Sequence, residues 1–144
     1  MSHPGSDEPN ATSAPLRGIL GIGTDIIECE RIAQMLAKHG DTFLTRVYTA
    51  GEIQYCSERK AAIQHYAGRW AAKEAVLKAL GTGWAHGIQW TDVEVRNQPG
   101  GKPHIVLAGV AQQLSHQRGI HEMMISISHC KSYAVAYATA LGEG

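Results

Sequence analysis

A chain of 144 residues with 44% apolar and 18% charged side chains has the size and balance of one globular domain with a real core. Its 13 Lys and Arg balance 13 Asp and Glu, which leaves no overall field for nucleic acid or an anionic membrane, so any anion site has to be local. Cys29, Cys56 and Cys130 fit neither a CxxC pair nor a disulfide framework, no apolar run reaches the roughly 20 residues of a bilayer span, and no basic stretch leads into an apolar leader; a reducing, cytoplasmic setting is expected.

Residues 1–16 are rich in Ser, Pro, Gly, Asp, Glu, Asn and Thr and are expected to be a disordered tail ahead of a domain at 17–144. Ile19-Leu-Gly-Ile-Gly-Thr-Asp-Ile-Ile27 reads as a buried strand. Its Gly21-x-Gly23 lacks the third glycine of a dinucleotide fingerprint, since position 26 is Ile, and no helix starts there. The glycines instead allow another backbone to come close. Asp25 is a carboxylate among Thr24, Ile26 and Ile27, and a turn or capping role is as open to it as a chemical one. Glu30 to Lys38 forms a short helix with Ile32, Met35 and Leu36 inward, stopping near Gly40; Arg31, just after the strand, reads on its own as a solvated surface arginine. Thr49-Ala-Gly-Glu52 has capping-box spacing and starts a helix that runs from Ala50 to Ser57, followed by a polar joint at Glu58-Arg-Lys60.

Ala67-Gly-Arg-Trp-Ala-Ala-Lys-Glu-Ala-Val-Leu-Lys-Ala-Leu80 is the central helix, rich in Ala and Leu with no interior Pro. At about 100° per residue its apolar side chains cover nearly every direction, which belongs in an interior. Yet it carries Arg69, Lys73, Glu74 and Lys78. An ordinary Glu74–Lys78 surface pair, worth roughly 0.3–0.5 kcal/mol, is the plain reading. Against it, buried charge is costly unless paired or used, and three cations facing one acid imply an anion from elsewhere. Gly81-Thr-Gly83 ends the helix in a loop where backbone can approach a ligand.

Two strands, Gln89 to Arg96 and Pro103 to Leu107, are expected to form a hairpin through Asn97-Gln-Pro-Gly-Gly-Lys-Pro103. A helix from Ala108 to Gln117 precedes two paired strands, Glu122 to His129 and Tyr133 to Leu141. The order β-α-α-α-β-β-α-β-β defines an α+β single domain with helices packed on a mainly antiparallel sheet.

The eight histidines include no HExxH, and no nucleophile elbow or phosphate-binding P-loop is present. What is left is two carboxylates in apolar settings, Asp25 and Glu74, with cations close in sequence. That pairing suits magnesium, which takes a few carboxylates and shares the rest of its sphere with substrate phosphates.

GIGTDI at 21–26 with Arg31, GRWAAKEAVLKALGTG at 68–83, GKP at 101–103 and SISH at 126–129 closely resemble, in order and spacing, the holo-acyl-carrier-protein synthases, the small single-domain 4′-phosphopantetheinyl transferases. The resemblance covers about Gly18 to Leu141. It implies transfer of the phosphopantetheine arm of coenzyme A to a serine of apo acyl carrier protein in fatty acid biosynthesis, with adenosine 3′,5′-bisphosphate released. By position it makes Asp25 and Glu74 the Mg²⁺ ligands and Lys78 the contact to the coenzyme's diphosphate. Arg69 and His129 would line the coenzyme site, with Arg59 and Lys60 near its 3′-phosphate, and Arg31 would dock the acidic carrier. Glu74, directly or through a bound water, is the candidate base. Trimers with active sites between subunits are usual in that family, which would put Asp25 and the central helix on different chains. Lys73 gains no role and is read as solvated at the edge of the site. The alternative is a coenzyme A-binding interaction module without turnover, against which Asp25, Glu74 and Lys78 all being present counts.

Overall fold

The computed structural model describes residues 17–143, so the expected tail at 1–16 lies outside the described residues. β1 (Arg17–Glu28) leads into α1 (Cys29–His39), α2 (Asp41–Val47), α3 (Ala50–Ser57) and the long α4 (Ala62–Leu80). A 3-10 turn at Trp90–Asp92 precedes β2 (Val93–Asn97) and β3 (Pro103–Leu107); α5 (Gly109–Gln117), β4 (Ile120–His129) and β5 (Tyr133–Glu143) follow. The class is α+β, as expected, and every strand pair is antiparallel, but the strands divide into two sheets, β1-β5-β4 and β2-β3.

Three local expectations change. The 3-10 turn takes the first residues of the strand expected from Gln89, and α4 begins five residues before Ala67. α2 has no counterpart in the sequence reading. Asp41-Thr-Phe-Leu-Thr-Arg-Val47 holds three β-branched residues, poor intrinsic helix formers. It is helical because Phe43 and Val47, one turn apart, are both buried, and Phe43 lies against Trp70 with ring centroids 6.1 Å apart.

α4 is the spine. Ala67, Ala71, Ala72, Ala75, Val76 and Leu77 are at most 1% exposed, as an all-round apolar helix requires. It ends on Gly81 in the left-handed conformation, whose N–H returns to the carbonyl of Leu77, while Arg118 donates to the carbonyl of Leu80. The sheet it lies on is built of small inward residues: Ala134, Ala136, Ala138 and Ala140 of β5 are all buried. At its two ends the helix meets different strands. Gly68 packs on Ile127 of β4, and Gly21 and Gly23 of β1 press against the backbone of Ala79 and Ala75. A Cβ on Gly23 would fall inside the carbonyl oxygen of Ala75, which is why glycine stands there. Gly23→Ala is therefore expected to destabilise by about 3 kcal/mol. Its thermal midpoint, set beside that of Gly18→Ala where the added Cβ meets open space, checks this.

Among the described residues no helix covers the outer face of the same sheet, so β1, expected to be a buried strand, is buried on its helix side only. Ile22 and Ile26 of β1, Tyr133, Val135 and Tyr137 of β5 and Met124 of β4 are exposed there, interleaved with Thr24, Ser126 and Ser128.

Candidate active site

The four charged residues of α4 go to three different places. Lys73, expected to be solvated, is fully buried. Its ammonium donates to Glu52 Oε1 at 2.8 Å, to the carbonyl of Trp90 at 3.1 Å and to that of Val93. Glu52 is as deeply buried, accepting also from the N–H of Thr49 in the capping box and from the N–H of Val95. The missing partner for one of the three cations was thus an internal carboxylate on α3. Capping-box spacing pointed at Glu52, but only as a cap.

Glu74 and Lys78 do not pair with each other. Glu74 Oε1 accepts from the indole N–H of Trp84 at 3.1 Å, and Trp84 is held by stacking on Trp90 at 4.0 Å between centroids. Lys78 reaches instead across to β1, donating to the carbonyl of Thr24 at 2.8 Å and meeting Asp25 Oδ1 at 3.4 Å. Asp25 and the central helix therefore meet within one chain, correcting the expectation that a trimer puts them on different ones. The geometry follows from the glycines: with Gly21 on Ala79 and Gly23 on Ala75, strand and helix run antiparallel. Asp25, on the same helix-facing side of β1, then lies further down α4 than Ala75, where the long Lys78 side chain reaches it.

Burial pushes the Asp25 carboxyl above its ordinary value, against the downward pull of Lys78 first and then of Arg31. A carboxylate whose desolvation outweighs its nearby cations has capacity for a further positive charge. Among the described residues no three His, Cys, Asp or Glu side chains converge on a metal position. Asp25 and Glu74 offer hard oxygen donors only, which fits a magnesium ion that completes its sphere with water and ligand oxygens. Arg31, exposed on α1, stands close enough to act on Asp25.

A second group forms where α4 crosses β4. Tyr55, His65, Gly68, Arg69, Asn97, Gly101, Pro103, Ile127 and His129 line a cavity of about 200 Å³. It brings together Arg69 and His129, both expected in a coenzyme site. Arg69, 4% exposed, donates through Nη2 to Asn97 Oδ1 at 2.6 Å, and its Nε has no partner. His129 Nδ1 lies 3.0 Å from Gln64 Oε1. Arg59 stacks on Tyr55 at the edge of this group, whereas Lys60, exposed in the turn before α4, is not part of the lining. Lys102 is exposed and also outside it. Asn97, Tyr55, His65 and Trp84 were not anticipated; Asn97 at the start of the hairpin turn was the most legible of them.

His65 contacts His129 edge to face at 5.0 Å, and burial, with His129, Arg69 and Arg59 adding to it, pulls its imidazole below its usual pKa. A depressed folded-state pKa contributes stability that is present above the unfolded value near 6.5 and lost as pH falls through the folded value. The thermal midpoint of the free protein is expected to fall between pH 7.5 and 5.5, and to fall less in His65→Phe.

A long buried helix thus presents a carboxylate and an ammonium to a glycine-bearing strand, beside a cavity that holds Arg69, and comparison with known proteins gives the class. Residues 21–138 match the model of the 4′-phosphopantetheinyl transferase superfamily, and the chain belongs to that family. Within it the chain is similar to the holo-[acyl-carrier-protein] synthase of Protochlamydia amoebophila, 51% identical over 119 residues covering 83% of this chain and 95% of that one. Among solved structures it is similar to the holo-ACP-synthase of Plasmodium yoelii (32% identity, TM-score 0.77, covering 90% of this chain and 99% of that one). It is similar also to that of Bacillus anthracis in complex with CoA (3′,5′-ADP), at 38% identity and TM-score 0.72, covering 87% and 98%.

Proposed function

We infer that the chain is a holo-acyl-carrier-protein synthase that moves 4′-phosphopantetheine from coenzyme A to a serine of apo acyl carrier protein, releasing adenosine 3′,5′-bisphosphate, in fatty acid biosynthesis. The observation that carries this reading is the contact of Lys78 with Asp25, one turn of α4 from Glu74, in a chain whose relatives bear that name. The serine oxygen attacks the phosphorus bearing pantetheine, and the bond from that phosphorus to the bridging oxygen of the diphosphate breaks. Glu74, directly or through a bound water, accepts the serine proton. Lys78 donates hydrogen bonds to the diphosphate and offsets charge growing on the bisphosphate that leaves. Arg69 and His129 hold the coenzyme, with Arg59 and Lys60 toward its 3′-phosphate, and Arg31 receives the acidic carrier. Asp25 and Glu74 would hold Mg²⁺, which when bound would supply charge neutralisation of the diphosphate.

Purified protein with coenzyme A, Mg²⁺ and an apo carrier should raise the carrier's mass by one phosphopantetheine. A carrier left unmodified while coenzyme A still binds would favour the non-catalytic module instead.

The reading extends to assembly and place. The exposed row Ile22, Ile26, Tyr133, Val135, Tyr137 and Met124 is an apolar sheet face with strand-pleat spacing, and a homotrimer closed through it would remove that surface from water. Tyr137→Lys, which puts a charge at its centre, is expected to yield monomer in sedimentation velocity where the parent protein sediments as trimer. Among the described residues no helix is long and apolar enough to cross a membrane, and we assign the reaction to the cytoplasm.

A further inference from the structure

The coenzyme cavity contains an arrangement that Arg69 and His129 do not account for. The guanidinium carbon of Arg59 lies 3.4 Å from the centroid of the Tyr55 ring and that of Arg69 lies 4.1 Å from it. Two guanidinium groups cannot share one face at those distances without overlapping, so the ring is sandwiched between them and the two charged carbons lie within about 8 Å of each other. Arg59 is further fixed through Nη1 to the carbonyl of Tyr55 at 2.6 Å. Tyr55 itself is tied down by His65, edge to face at 5.6 Å, which in turn meets His129.

Two cations this close repel, and Arg69 is all but buried. Among the described residues neither has a carboxylate within salt-bridge distance, and the cavity is lined by no acid. Arg69 Nε is left unpartnered. A buried guanidinium with an unused donor, a second guanidinium on the far side of one aromatic ring and no acid in the lining together suit an anion that offers more than one charged group.

We propose that Tyr55 is the positioning residue of a two-guanidinium clamp, in which its ring spaces Arg59 and Arg69 to take the two phosphorylated ends of an adenosine 3′,5′-bisphosphate group. This rests on the coenzyme-binding reading above and deepens it. The ring touches no reacting atom; it sets the distance between the two charges, which flexible arginine side chains do not hold by themselves. Tyr55 thus acts on selection of the 3′-phosphorylated coenzyme and not on the chemical step.

The test is calorimetric titration of the full chain with coenzyme A and with dephospho-coenzyme A, alongside steady-state kinetics. Tyr55→Leu is expected to weaken coenzyme A by roughly tenfold in Kd and KM, with kcat within about twofold. Dephospho-coenzyme A, which cannot engage both heads, should lose no more than about a third of that factor. Tyr55→Phe should rescue the lost affinity. If Tyr55→Leu does not fold, Tyr55→Met, which fills the space without a π face, carries the same expectation. Equal weakening of both ligands, unchanged Kd in the Leu or Met variant, or a fall confined to kcat would overturn the clamp. Absence of transfer by the parent protein with normal coenzyme titration would overturn the transferase reading and leave the clamp standing.

Discussion

Glu74→Gln is expected to lower the rate of carrier modification by on the order of 10²- to 10³-fold or more, with little change in stability. The substitution keeps the shape of the side chain, and an amide oxygen can still accept the indole N–H of Trp84 that now meets Oε1. What goes is the negative charge and the capacity to take a proton. If Glu74 and Asp25 jointly hold Mg²⁺, the ion should raise the thermal midpoint of the parent protein at neutral pH and raise that of Glu74→Gln far less. That measurement does not depend on turnover. Coenzyme A titrated without Mg²⁺ should bind parent and variant alike, because the Arg69–His129 cavity does not include position 74. A variant that keeps more than a tenth of the parent rate would remove Glu74 from both roles and leave Asp25 and Lys78 to explain the chemistry.

Much of the fold was legible because local signals agreed with the tertiary outcome. The paired strands β4 and β5, the capping box at Thr49 and Glu52 and the glycine stop of α4 all rest on local signals, and each appears where its residues placed it. α2 was illegible for the opposite reason: seven residues with Thr42, Thr45 and Val47 have no helical preference, and burial of Phe43 and Val47 decides the matter. The site divides in the same way. Asp25, Glu74 and Lys78 could be picked out because charge in an apolar setting is visible in one dimension. Which charge pairs with which is not, and the i,i+4 neighbours Glu74 and Lys78 turned to different partners 10 residues onward and 53 residues back. Lys73 shows the limit most clearly: its partner lies 21 residues away, on a helix end whose acid already had a local explanation.

That misread pair carries the second large effect. Lys73→Met is expected to destabilise the protein by about 3–5 kcal/mol, because it leaves the Glu52 carboxylate in the interior without its counter-charge. Burial pulls the Lys73 ammonium below its ordinary pKa, and Glu52 is the main influence restoring it. The two groups are therefore stable inside only as a pair. Glu52→Gln alone should be similarly damaging, since it strands the ammonium and weakens the cap of α3 at the same time. The double variant Glu52→Gln with Lys73→Met should recover a large part of either single loss, the signature of a buried pair whose desolvation nearly cancels its attraction. Urea unfolding of all four proteins gives the coupling directly; additive losses would mean that the carbonyls of Trp90 and Val93, and not Glu52, are what Lys73 answers to. The pair also has a functional reach. It ties α4 to the backbone of β2 at Val93 and Val95, and β2 delivers Asn97 to Arg69. Loosening it should free the hairpin from the helix, so the double variant is expected to regain stability before it regains coenzyme affinity. A charge buried one residue from Glu74 in sequence, about 100° round the helix from it, thus holds the Asn97 wall of the coenzyme cavity.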